Sequence, residues 1–180
     1  YLLHWRGAHP LAETMAGFEA LLAHGHIARW GVSNFDVDDL EELQGIPGGT
    51  ACAANQVYYS LSERGPGHSL LPWQQRLGMP LMAYCPIDQG VLAGHARLGA
   101  LASRKGCSAA QLALAWAMRQ PGVMAIPKAV REAHLRENFA AALARYQTPI
   151  ISEAKRGGDS RLTAARPIGD RHSSPIVWIR

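Results

Sequence analysis

Five times along this 180-residue chain a short apolar run gives way to a longer stretch with helical periodicity, and that alternation limits the fold more than any other feature. Tyr1-Leu2-Leu3 is the first run. Pro10 follows at a position that a first helical turn tolerates. Leu11, Met15, Phe18 and Leu22 then recur at spacings of four, three and four, one face of a helix that Gly25 stops. Ile27 to Val32 reads as the second strand, closed by Ser33-Asn34. Asp36 and Asp39 mark the next helix start, where carboxylates suit the positive end of the dipole, with Leu40 and Leu43 turned inward. A Pro47-Gly48-Gly49 turn leads to a third strand, Ala51 to Tyr58, and the loop around Gly65-Pro66-Gly67 leads to a short helix, His68 to Leu77. Pro80 to Tyr84 is the fourth strand. Ser108-Ala109-Ala110-Gln111 is a capping-box pattern that opens a helix running to Gln120. Pro121-Gly122 ends it, Val123 to Ile126 makes the fifth strand, and residues 131–144 form a last helix with Leu135 and Phe139 on one face.

Strands alternating with helices imply a parallel sheet, and strands without polar alternation fit a sheet covered on both faces. The fold class is therefore α/β. In a (β/α)8 barrel, a TIM barrel, the functional groups gather at the C-terminal ends of the strands. Here those ends carry His4, Ser33-Asn34, Asn55-Gln56, Tyr84 and Lys128. A complete barrel takes eight units and typically about 250 residues, so the chain reads as an incomplete barrel of about five βα units. Tyr1, rather than a Met, enters an apolar run directly, which raises the expectation of an upstream part.

With 48% hydrophobic and 18% charged residues, a disordered or collagen-like chain is excluded. No apolar run approaches the roughly 18 residues of a membrane span, and no signal segment opens the chain. The charge is uneven. Residues 1–145 hold 12 Lys/Arg and 11 Asp/Glu, while residues 146–180 hold 6 and 3, so the pI near 9.2 belongs mostly to the last 35 residues. The chain divides accordingly into a partial barrel, 1–145, and a basic tail, 146–180. The tail reads as irregular or disordered, or as a basic arm for an anionic partner. A near-neutral body argues against nucleic acid as the partner. Cys52, Cys85 and Cys107 are odd in number and widely spaced, so a reducing cytoplasm is the expected location and buried unpaired thiols the expected state. The eight histidines show no HExxH spacing, so no metal site is expected.

The segments Leu2-Leu3-His4-Trp5, Gly31-Val32-Ser33-Asn34-Phe35, Asn55-Gln56-Val57, Ala83-Tyr84-Cys85-Pro86 and Ile126-Pro127-Lys128 resemble the successive motifs of the aldo-keto reductases, in family order and spacing. Each motif alone is weak; five in register are strong. The resemblance spans roughly residues 1–144, from the fourth barrel strand onward. It implies a cytoplasmic oxidoreductase that reduces aldehydes or ketones to alcohols with hydride from NADPH, NADH being the other option. The partner implied is a small-molecule carbonyl substrate, with no nucleic acid and no membrane, and a monomer when full length.

By this resemblance, His4 matches the histidine that orients and polarises the substrate carbonyl, and Trp5 a wall of the substrate pocket. A histidine at a strand end can donate a hydrogen bond to a developing alkoxide; a hydrogen-bonded structural histidine is the plainer alternative. Ser33, Asn34 and Gln56 match the residues that bind the nicotinamide carboxamide, a group that needs both donors and acceptors. Tyr84 matches the tyrosine that stacks on the nicotinamide ring. On the residues alone, Asn34 and Gln56 also read as strand caps and Tyr84 as core. Lys128 matches the lysine on the adenosine 2′-phosphate. Cys85 and Pro86 fall beside the pyrophosphate, with Cys85 replacing a usual serine. His134, Glu137 and Asn138 fall near the adenosine end, His134 standing where many members have an arginine and Ala129 where a hydroxyl is common.

The family's proton donor is a tyrosine tuned by a lysine paired with an aspartate, all on strands before the one that opens at Tyr1. No residue here takes those roles; Tyr58 and Tyr59 do not fit the donor position. The 180 residues alone are therefore expected to be inactive and poorly stable. Two alternatives remain at this point: a non-catalytic NADP-binding remnant, and a basic-tailed nucleic-acid-binding protein.

Overall fold

A computed structural model describes residues 1–143. The basic segment 146–180, expected to be irregular, lies outside the described residues. Five strands form one parallel sheet: β1 (Leu2–Leu3), β2 (Gly31–Ser33), β3 (Asn55–Tyr58), β4 (Leu81–Tyr84) and β5 (Val123–Ala125). Between and after them run α1 (Leu11–Ala23), α2 (Val37–Gln44), α3 (Leu70–Arg76), α4 (Ala96–Arg104), α5 (Ala109–Met118) and α6 (Glu132–Leu143). The strands lie in chain order, β1-β2-β3-β4-β5, every neighbouring pair parallel. A doubly wound sheet reverses its strand order at a switch point; this one never does. Sequential right-handed crossovers place the helices on one side, and the result is five units of a (β/α)8 barrel wall.

Local chemistry starts the helices where the sequence indicates. The Asp36 carboxylate accepts from the Asp39 amide at 3.0 Å, and the Asp39 carboxylate accepts from the Asp36 amide at 3.3 Å, a reciprocal cap on α2. Ser108 and Gln111 do the same for α5, at 3.1 and 3.0 Å. Leu11, Met15 and Phe18 of α1 are buried, as their spacing predicts.

The register divides the sheet into two faces. Val32, Asn55 and Leu81 are paired in line and buried, with Val57 and Ala83 two residues on. This face packs against the helices. Ser33, Gln56, Met82 and Met124 are paired in line on the opposite face, which opens progressively until Met124 is 52% exposed. In parallel strands successive side chains alternate faces, so Tyr58 and Tyr84, themselves paired, share the face of Gln56.

Several elements differ from the expectation. The second strand begins at Gly31, not Ile27, where its ladder with Leu2 of β1 starts. The third begins at Asn55, since Gly49–Ala51 turns as a 3-10 helix. Helix α4 has no counterpart in the sequence reading. Glycines 90, 94 and 99 disguise it, yet Leu98, Leu101 and Ala102 are buried and His95 Nδ1 caps the Leu98 amide at 3.3 Å. Leu135 and Phe139 face outward, 51% and 70% exposed, because α6 packs along α5 through another side that buries Ala141. Among the described residues, no helix is long and apolar enough to cross a membrane.

Candidate functional site

The C-terminal ends of β1 to β4 carry a connected set of polar groups on the open face. Ser33 ends β2, and its hydroxyl donates to the Gln56 carbonyl at 2.7 Å. Asn34 turns the chain away from the sheet with φ of +62°, a region that asparagine tolerates better than most residues. Its amide nitrogen reaches the His4 carbonyl at 3.1 Å and the Ser33 hydroxyl at 3.3 Å. Its Oδ1 accepts from the Tyr84 hydroxyl at 3.0 Å. Four strand ends are thereby tied through one asparagine. Gln56 is 3% exposed, and its Oε1 has no hydrogen-bond partner. A buried acceptor left unpaired costs stability, so this oxygen marks a place where a donor fits.

His4 is exposed at the end of β1, its ring tilted at 52° to Trp5 with centroids 6.1 Å apart. Trp5 is 45% exposed. Arg6 fixes the segment after them by bridging to Asp39 and Glu42 of α2, each at 2.6 Å. Those two carboxylates raise the Arg6 guanidinium above its ordinary pKa, chiefly through the hydrogen bonds.

A second group of predicted residues lines a cavity of about 740 Å3 between the β4 end, the start of α5 and α6. Tyr84, Cys85 and Pro86 form one wall; Lys128, His134, Glu137 and Asn138 form another. Of the lining side chains, Lys128 carries the permanent positive charge, and it is exposed. The structure therefore divides the twelve sequence-derived positions. Seven line the cavity, while His4, Trp5, Ser33, Asn34 and Gln56 lie at the strand ends beside it. Tyr84 belongs to both groups through its bond to Asn34.

The ring of Tyr84 is stacked on that of Tyr58, with centroids 5.4 Å apart and planes 16° from parallel. Sequence reasoning missed this partner, and it missed Asp88, whose carboxylate accepts from the Tyr58 hydroxyl and, at 2.8 Å, from Ser62 Oγ. Ile87, Gln89, Gly90 and Ala93 complete the wall after Pro86. The Asp88-Gln89-Gly90 run carries a turn signal that could have placed a tight loop there. Nothing in the spacing joins Asp88 to Tyr58, thirty residues earlier.

The chain is similar over most of its described length to proteins of one family. The family model described as "Aldo/keto reductase family" matches residues 1–156. A methylglyoxal reductase of Escherichia coli is 49% identical across 78% of this chain and 51% of its own length. A glyoxal reductase of Bacillus subtilis is 35% identical across 77% and 49%. The crystal structure of an aldo-keto reductase from Klebsiella pneumoniae in complex with NADPH superposes with a TM-score of 0.81 at 44% identity, covering 87% of this chain and 57% of that one. The chain spans about half the length of the curated relatives it matches. A parallel sheet in unbroken chain order, the five strand-end motifs and the match over residues 1–156 lead to one conclusion: the chain belongs to the aldo/keto reductase family.

Proposed function

We propose that this chain carries the cofactor-binding half of an NADPH-dependent carbonyl reductase. The observation that carries the reading is the buried, unpartnered Oε1 of Gln56, on the same sheet face as Tyr84 and paired across the ladder from Ser33. A nicotinamide carboxamide has an amino group to donate to that oxygen. The fit extends into the cavity, where Cys85 and Pro86 lie along one wall and Lys128, His134 and Asn138 along another. A cation at that wall favours a 2′-phosphate. When bound, the cofactor supplies a hydride to the carbonyl carbon of the substrate.

The residues of this chain have distinct parts in that reading. Ser33, Asn34 and Gln56 orient the carboxamide end, Tyr84 offers a ring face, and Lys128 with His134, Glu137 and Asn138 holds the adenosine end. His4 donates to the carbonyl oxygen and stabilises its developing charge, with Trp5 beside it as a wall. Two of the relatives are a methylglyoxal reductase and a glyoxal reductase, so small 1,2-dicarbonyls are the substrates to offer first. The Tyr58 hydroxyl is committed to Asp88, that of Tyr84 to Asn34, and Tyr59 is buried at 2% exposure. Among the described residues none of these three serves as the proton donor. Binding without turnover is accordingly the behaviour proposed for these 180 residues expressed alone.

Comparing NADPH and NADH tests the reading. Calorimetric titration of the 180-residue chain is expected to show saturable NADPH binding. Lys128→Ala is expected to weaken NADPH by about 10-fold or more, the scale of one charged hydrogen bond, while leaving NADH nearly unchanged. Equal losses for both cofactors would remove Lys128 from the 2′-phosphate site, and no saturable binding to the parent chain would remove the cofactor site altogether.

A further inference from the structure

We propose that Asp88, a residue outside the cofactor contacts just described, is a positioning residue that ties the loop after β4 to the end of β3 and so fixes Tyr84 and the Cys85-Pro86 wall. The proposal rests on the cofactor reading above. Residues 84–90 form one side of the cavity, with a single exception: Asp88 is the one member of the run that does not line it. Its carboxylate points instead to β3 and the turn beyond, where it accepts hydrogen bonds from Tyr58 Oη and Ser62 Oγ.

The loop needs such a tie. Cys85, Asp88 and Gln89 have φ of +48°, +50° and +55°, followed by Gly90 at +95°. Three non-glycine residues within five positions thus occupy a backbone region that L-residues seldom adopt. Such a conformation persists only where the surroundings over-determine it. Local backbone bonds help, among them Asp88 N–H to the Cys85 carbonyl at 2.8 Å, Val91 N–H to the Asp88 carbonyl at 3.0 Å, and Gly90 and Leu92 N–H to the Ile87 carbonyl at 3.1 and 3.3 Å. These lie within the loop and do not join it to β3. The Asp88 carboxylate does so, and it holds the tyrosine whose ring stacks on Tyr84. One acidic side chain therefore sets both the course of the cavity wall and the backing of the ring proposed to face the nicotinamide.

The test uses the 180-residue chain and the variants Asp88→Ala and Tyr58→Phe, each titrated with NADPH and with adenosine 2′-monophosphate. The second probe has no 5′-phosphate and engages only the Lys128 and His134 end. Asp88→Ala is expected to weaken NADPH by about 10-fold, the scale of the two lost bonds, and to leave the monophosphate within about twofold. Tyr58→Phe is expected to shift NADPH in the same direction by less. Hydrogen exchange gives an independent readout, with amides of residues 85–92 in Asp88→Ala exchanging about 10-fold faster and those of α1 unchanged. Parallel loss of both ligands, or unchanged loop exchange, overturns the inference. A parent chain that binds both probes beside an Asp88→Ala variant that binds them equally well overturns the Asp88 role alone. A parent that binds neither overturns the cofactor site, and the role with it.

Discussion

Gln56 keeps a side-chain oxygen buried and unpaired on the open face of the sheet. Such a group destabilises the unliganded fold, so removing it should separate stability from binding. Gln56→Leu is expected to leave the thermal midpoint unchanged or higher, while weakening NADPH by about 3- to 10-fold, the scale of one neutral hydrogen bond. A lowered midpoint with unaltered binding would make Gln56 structural. Cys52 yields a second prediction. Burial pushes its thiol up to about 11 from 9.0, partly offset by hydrogen bonding with the backbone of Ala54 and Val32. Above pH 9 the unfolded chain releases this proton and the folded chain keeps it, so stability falls between about pH 9 and 11. Denaturant midpoints across that window should decline less steeply in Cys52→Ala, and iodoacetamide at pH 7.5 should label the half-buried Cys85 and Cys107 before Cys52. The strand-end residues were legible because their chemistry stands out against apolar strands. Asp88 was not, since its role depends on a partner brought near only by the fold.

Between elements, β2 closely approaches the segment entering β3. A Cβ on Gly31 would lie 2.6 Å from the Ala54 carbonyl oxygen and 2.8 Å from Leu2 Cδ2. Gly31→Ala must push the strands apart, and it is expected to destabilise the chain by about 1–3 kcal/mol, read by urea denaturation. Ser108→Ala removes half of the α5 cap and should lower stability by about 1 kcal/mol. Helices α1, α2 and α5 were legible because periodicity and caps act within a few residues. Strand ends were not, because a strand's limits are set by pairing with distant segments: β2 starts at Gly31, paired with Leu2, rather than at Ile27. Helix α4 hid behind its glycines, and α6 turned Leu135 and Phe139 outward because its inner side was chosen by contact with α5.

At the scale of the whole molecule, sequential parallel order was legible from the strand–helix rhythm alone, whereas the closeness of His134 and Asn138 to Cys85 required the fold. Among the described residues, β1 and β5 each pair with one strand. Unpaired edges recruit further strands, so the 180 residues expressed alone are expected to self-associate, seen as concentration-dependent mass in light scattering; a monomer at every concentration would show the edges to be protected. The central claim is that the strand-end cluster and the cavity, joined through Tyr84, are one dinucleotide site. NMR of the isotope-labelled chain titrated with NADPH tests it most directly. The account predicts shifts that saturate together at Ser33, Asn34 and Gln56 and at Lys128, His134 and Asn138. Shifts confined to one group, or lying elsewhere in a folded chain, would contradict it.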